Sequence, residues 1–289
     1  KFQDDQGNFS TGEASVIQDL PDLIDTQIII DGSDTREDLT TPEFQGLKTN
    51  TIFNTTTDAL QLTNPAANAT GEYAFKDILD LGAVFSLDLR RVIRSVGFNI
   101  GTDIETIIPS GSLWDNYATD GNFDGPAADE ANCQIQVATS QTASGSFGSF
   151  NNFANGTFKG RRFKFKLVLE TTNTAQNMNV QQAGFTAEFQ SRTEQNYQTG
   201  GSTSTAPQSS GTSAKTVTFG TPFFVGTSSL GGANAFLPTV GITIQNAQGG
   251  DFFTVTNVSG TGFTVNIKNG SSFVDRTFTF QAVGYGKGV

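Results

Sequence analysis

The sequence predicts an all-β protein: two antiparallel, jelly-roll-like β-sandwich domains joined by a flexible linker. Three observations carry that expectation. Short runs alternate apolar and polar residues with a period of two, as in "GFTVNIKN", where Phe263, Val265 and Ile267 alternate with Thr264, Asn266 and Lys268. Phe occurs 26 times and, with Thr and Gly, dominates the patterned stretches, a composition suited to strands and tight turns. No stretch carries a convincing amphipathic helical pattern.

Taken in order, residues 1–69 are acidic and weakly patterned, with one apolar run at Ile28 to Ile30. They read as an extended arm or linker holding one or two strands. Residues 70–190 read as a structural β-sandwich. "GEYAFKDILDLGAVFSLDLRRVIRSVGFNI" supplies strands broken near Gly82, and "QIQVAT" alternates Ile135 and Val137 with glutamines. "RRFKFKLVLE" places Phe163, Phe165, Leu167 and Leu169 on one face, and "GFTAEFQ" does the same for Phe185, Ala187 and Phe189. Residues 191–214 are rich in Ser, Thr and Gly. They offer too little apolar surface to order themselves and read as a flexible linker. Residues 215–289 read as a small sandwich, in which "RTFTFQAVGYG" aligns Phe278, Phe280 and Ala282 on one face.

The 289 residues fit two domains, on a prior of about 100–200 residues each. A second domain of this size has a thin core and exposed edges, which favours burial against copies of itself. The net charge of −11 disfavours nucleic acid and anionic membranes as partners. Cys133 is the single cysteine, so no internal disulfide and no multi-cysteine metal site can form. No apolar run approaches the ~20 residues of a helical membrane span. Beginning at Lys1 without Met, the chain reads as the processed or ordered part of a longer protein.

The chemistry implied is binding. There is no histidine, which removes the common catalytic triads. No pair of carboxylates is marked out for glycoside hydrolysis. Neither a cofactor nor a metal is expected, and the protein is read as a non-enzyme. "LWDNYATDGNFDGPAADE" sets Asp115, Asp120, Asp124, Asp129 and Glu130 beside Trp114 and Tyr117. Three readings stay open for it: a solvated acidic loop pinned by Trp114, a calcium site, and an aromatic sugar platform. In the second domain "NGSSFVDR" places Phe273 among Asn269, Ser271, Ser272 and Asp275. An apolar plate ringed by hydrogen-bonding groups suits a sugar or surface polymer. The competing reading packs Phe273 into an oligomer core and pairs Asp275 with Arg276 or a neighbour. Asn269, Phe273, Asp275 and Trp114 are therefore the candidate ligand-contact residues.

The order "YAFKDILDLGAVFSLDLRRVI", "SLWDNY", "FDGP" and "FKGRRFKFKLVLETTNTAQNMNVQQAGF" across residues 70–192 resembles the host-specificity proteins of siphophage tail tips, of the J type, and related hub proteins. The C-terminal part is similar to fibre-tip domains of marine phages and, more distantly, to H-type lectins. The matching positions are Phe219, Phe224, Pro238, Val240, Val258, Gly262, Phe263 and Ala282. Such lectins often carry Trp in the loop that here holds Phe273. The resemblance implies a virion protein at the distal tail tip, a homotrimer bound to other tail or baseplate proteins, meeting a host-surface glycan or outer-membrane receptor. Two alternatives stand beside it: a purely structural baseplate or hub component, and a carbohydrate-binding module of a secreted bacterial protein.

Overall fold

The computed structural model describes residues 27–33, 44–100, 130–196, 207–228 and 230–288. Among them the protein is all-β, without a helix, and its strands pair antiparallel. The first part comprises β1 (Gln27–Ser33), β2 (Leu47–Thr49), β3 (Thr51–Asn54), β4 (Ala59–Leu62), β5 (Thr70–Ala74), β6 (Leu79–Asn99), β7 (Ala131–Ser140), β8 (Asn151–Asn152), β9 (Gly156–Thr171) and β10 (Gln176–Gln195). The second comprises β11 (Gln208–Ser209), β12 (Lys215–Thr218), β13 (Thr239–Ile244), β14 (Asp251–Thr256), β15 (Gly262–Asn269), β16 (Ser272–Phe273), β17 (Thr277–Tyr285) and β18 (Lys287–Gly288).

The first core is organised around β9. Its partners are β7 on one side and β5 and β6 on the other. The alternation of "RRFKFKLVLE" buries Phe163, Phe165, Leu167 and Leu169, and the corresponding faces of β7 and β10 bury Ile135, Val137, Phe185, Ala187 and Phe189. Phe165 stacks on Phe185 with ring centroids 4.5 Å apart. Gly82 (φ 82°) marks the break anticipated in β6, where the register with β9 slips between Asp80 and Phe85. Asp80 braces the irregularity, accepting from the Gly82 N–H at 2.8 Å and from Arg161 Nε at 2.9 Å.

This core reaches further toward the N-terminus than composition indicates. Phe44, Leu60 and Leu62, within the stretch read as an arm, are fully buried in it. All four side chains of β4 are covered: Leu60 and Leu62 lie on the core, and on the other face the Gln61 amide donates to Thr57 Oγ1 and Asn179 Oδ1, while Asn177 holds the strand's backbone edge. The Asn177 carboxamide accepts from the Leu62 N–H at 3.1 Å and donates to the Leu62 carbonyl at 2.9 Å.

Nor does β10 stop at residue 190. It continues to Gln195, and Ser191 to Gln195 pair with Tyr285 to Gln281 of β17. β11, also within the expected linker, pairs with Thr277 and Phe278. The sheet therefore passes from the first unit into the second. Arg192 fixes the crossing: its guanidinium lies 3.7 Å from the centre of the Phe223 ring, its Nε donates to the Gly286 carbonyl at 2.9 Å, and it bonds Glu194 and the Thr221 carbonyl. These contacts override the polar composition of the segment.

β6 and β10 run together as far as Asp88 and Glu188, then diverge. The C-terminal chain lines both arms of the fork. β17 runs down β10 to Ser191, the chain turns at Gly286, and β18 runs back along Ser86 and Phe85. Gly286 has φ 96°, and a Cβ there would meet the Phe85 ring at 2.9 Å.

The second sandwich packs β12, β15 and β14 against β13 and β17. Phe263, Val265 and Ile267 face Phe278, Phe280 and Ala282 across its core. Phe224 belongs instead to the first core, stacked on Phe189 at 3.8 Å and edge-on to Phe85 at 6.0 Å.

Candidate functional site

Hairpin register builds the end of the second sandwich. β14 pairs with β15 so that Asp251 lies opposite Asn269, and β15 turns at Gly270 (φ 58°) into β16, placing Lys268 opposite Phe273. Directly paired residues share a face, and the Lys268 ammonium sits 4.6 Å from the centre of the Phe273 ring. This cation–π contact shelters a half-buried aromatic.

Beneath it lies a polar latch. Arg276 grips the Asp251 carboxylate through Nε at 2.6 Å and Nη2 at 3.2 Å. The same carboxylate accepts from the Gln248 N–H at 2.8 Å and the Asn269 amide at 2.9 Å. The Asp251 side chain is 1% exposed. The Arg276 guanidinium, aided by Gln248 and Asn269, holds its pKa well below the usual carboxylate range. Asp275, by contrast, is exposed and faces another loop. It accepts from the Ser209 hydroxyl at 2.6 Å and the Gly211 N–H at 2.9 Å, and these bonds lower its pKa.

The structure thus brings Asn269, Phe273 and Asp275 together but gives them different tasks. Asn269 and Asp275 are braces. Arg276 pairs with Asp251 across the sandwich end, while its sequence neighbour Asp275 gives it a backbone carbonyl, at 2.9 Å, and acts on it otherwise through charge without a side-chain bond. Phe273, half-buried under Lys268, takes no part in that bracing. Trp114 and Asp115, Asp120, Asp124 and Asp129 lie outside the described residues. Glu130 accepts from the Asn173 amide at 2.7 Å. Among the described residues no group of three or more His, Cys, Asp or Glu side chains is placed to hold a metal.

Sequence reasoning missed Lys268 and Asp251 as members of this cluster, and set Arg276 against Asp275 instead of Asp251. The signal was there: folding "DFFTVT" on "GFTVNIKN" about the Ser-Gly-Thr turn pairs Asp251 with Asn269 and leaves Lys268 beside the aromatic hairpin. Chemically the cluster is a stiff platform. Its two carboxylates are ionised at neutral pH and committed to donors, which suits surface recognition better than proton transfer. Comparison with known proteins finds no matching family, no matching curated protein and no matching solved structure.

Proposed function

We propose that the chain is a non-enzymatic component of a siphophage tail tip or central fibre that attaches the virion to the bacterial surface, acting as a homotrimer among other tail or baseplate proteins. The observation that carries this reading is the braced end of the second sandwich. Its loops are tied by the Asp251–Arg276 pair and the Asp275 bonds, so Phe273 and Lys268 are presented on a preorganised surface. The part of the Phe273 ring left open beside the Lys268 ammonium fits a surface glycan, stacked on the aromatic and hydrogen-bonded by the ammonium. The likeness of residues 70–192 to tail-tip proteins supports the tail as its setting.

The test is adsorption of the purified chain to cells of a panel of candidate hosts and to their isolated surface polysaccharide. Phe273→Ala with Lys268→Ala should reduce binding at least tenfold while the circular dichroism stays that of the wild type. Unchanged adsorption by the folded double variant removes this platform from the receptor site. A second reading, a purely structural baseplate or hub component, is favoured by the pairing of β10 with β17, which joins the two units through one sheet. It predicts incorporation into tails with no adsorption by the isolated chain.

A further inference from the structure

The second sandwich is closed on one side and open on the other. On the closed side Val217, Phe219 and Phe223 are buried and Arg192 covers Phe223. On the open side lie β13 and β14, consecutive strands in opposite sheets. Among the described residues β13 pairs only with β17 and β14 only with β15. Register shows which of their side chains face inward. Val240, Ile242 and Ile244 pair with the core residues Ala282, Phe280 and Phe278, while Phe253 and Val255 pair with Ile267 and Val265. All five point to the core side, yet Phe253 is 42% exposed and the other four are only half-buried. Phe252, on the outer face of the same edge, is 45% exposed.

Soluble proteins blunt such edges with lysine, proline or a bulge. Here β13, "TVGITI", has no ionisable residue, and the single one in β14, Asp251, is neutralised by Arg276. The chain as a whole carries −11. A different protein drawn to so acidic a chain would be met through charge. Identical copies, which repel one another over most of their surface, meet at least cost through a neutral apolar strip.

We infer that the β13/β14 side is a self-association seam: copies of this chain close one another's second core, with Val240, Ile242, Ile244, Phe253 and Val255 converging on the symmetry axis. This rests on the trimer in the proposed function and names the surface that forms it. Closed cyclic symmetry satisfies every copy.

The full chain is tested by sedimentation and light scattering from about 1 to 100 μM, a range that brackets a micromolar association. The wild type should be a closed oligomer at the upper end. Phe253→Lys, at an already exposed position, should be monomeric with an unchanged β-type circular dichroism spectrum. Hydrogen exchange on the wild type gives a reading independent of any variant: amides of residues 239–244 and 251–256 should gain protection with protein concentration. A wild-type monomer at every concentration, a Phe253→Lys chain that assembles as before, or β14 amides protected equally in a monomer would each overturn the seam. In the last case the chain's own residues cover that side. A dimer in place of a trimer keeps the seam and refutes the trimer, while a monomer that still adsorbs to cells refutes the seam alone.

Discussion

Replacing Phe224 by alanine should weaken the first sandwich, although the residue lies in the second half of the sequence. Its ring is 1% exposed, stacks on Phe189 at 3.8 Å and meets Phe85 edge-on at 6.0 Å. Emptying a buried phenylalanine site costs about 3–5 kcal/mol, a range that includes aromatic pair terms of about 0.5–1.5 kcal/mol each. A loss of about 4 kcal/mol is a large part of a typical stability of about 5–15 kcal/mol. At about 1.4 kcal/mol per tenfold, the slowest amides of the first core should exchange roughly a thousandfold faster. The assay is hydrogen exchange with mass spectrometry, reading β9 at residues 163–169, the centre of that core. If β9 protection stays within threefold of wild type while β15 loses its own, the two cores are independent and the coupling argued from Phe224 is wrong.

Gly286→Ala combines a left-handed backbone with a Cβ driven to 2.9 Å from the Phe85 ring. It should cost about 2–4 kcal/mol, and a thermal midpoint within a degree of wild type would contradict the fork geometry. Asn196→Ala removes a fully buried carboxamide whose Oδ1 accepts from the Phe280 N–H at 2.6 Å. It should cost about 1–3 kcal/mol in urea unfolding. Asp251 and Asp275 have folded-state pKa values below the usual carboxylate range. Their stabilisation is therefore complete above the unfolded value of about 3.9 and is lost as pH falls through the lower folded values. Urea midpoints should be level from about pH 7 to pH 5 and fall below about pH 4, less steeply in Asp251→Asn; equal slopes for the two proteins would show that the latch does not titrate with folding.

Long alternating strands were legible because one face of each lies on a core. Phe163 to Leu169, Phe263 to Ile267 and Phe278 to Ala282 all point as their period requires. Short strands were not. Ala59–Leu62 buries every side chain, so its burial follows no period, and its partners Asn177 and Asn179 are distant in sequence. The Ser- and Thr-rich stretch after residue 190 has a linker's composition, but Arg192 and Glu194 find partners that only the folded chain supplies. At the candidate site the aromatic hairpin was visible and its brace was not. Adjacency suggests Asp275 for Arg276, whereas the guanidinium turns to a carboxylate brought near by sheet register.

The fork filled by the C-terminal chain also bears on the order in which the molecule is made. β6 emerges from the ribosome long before β18, its partner at Phe85 and Ser86, roughly 200 residues later. Until then the nascent first sandwich has a gap between two hydrogen-bonding edges, open to pairing with another chain. Synthesis at reduced temperature, or with holdase chaperones in excess, would shield that gap, and expression yield should depend on both.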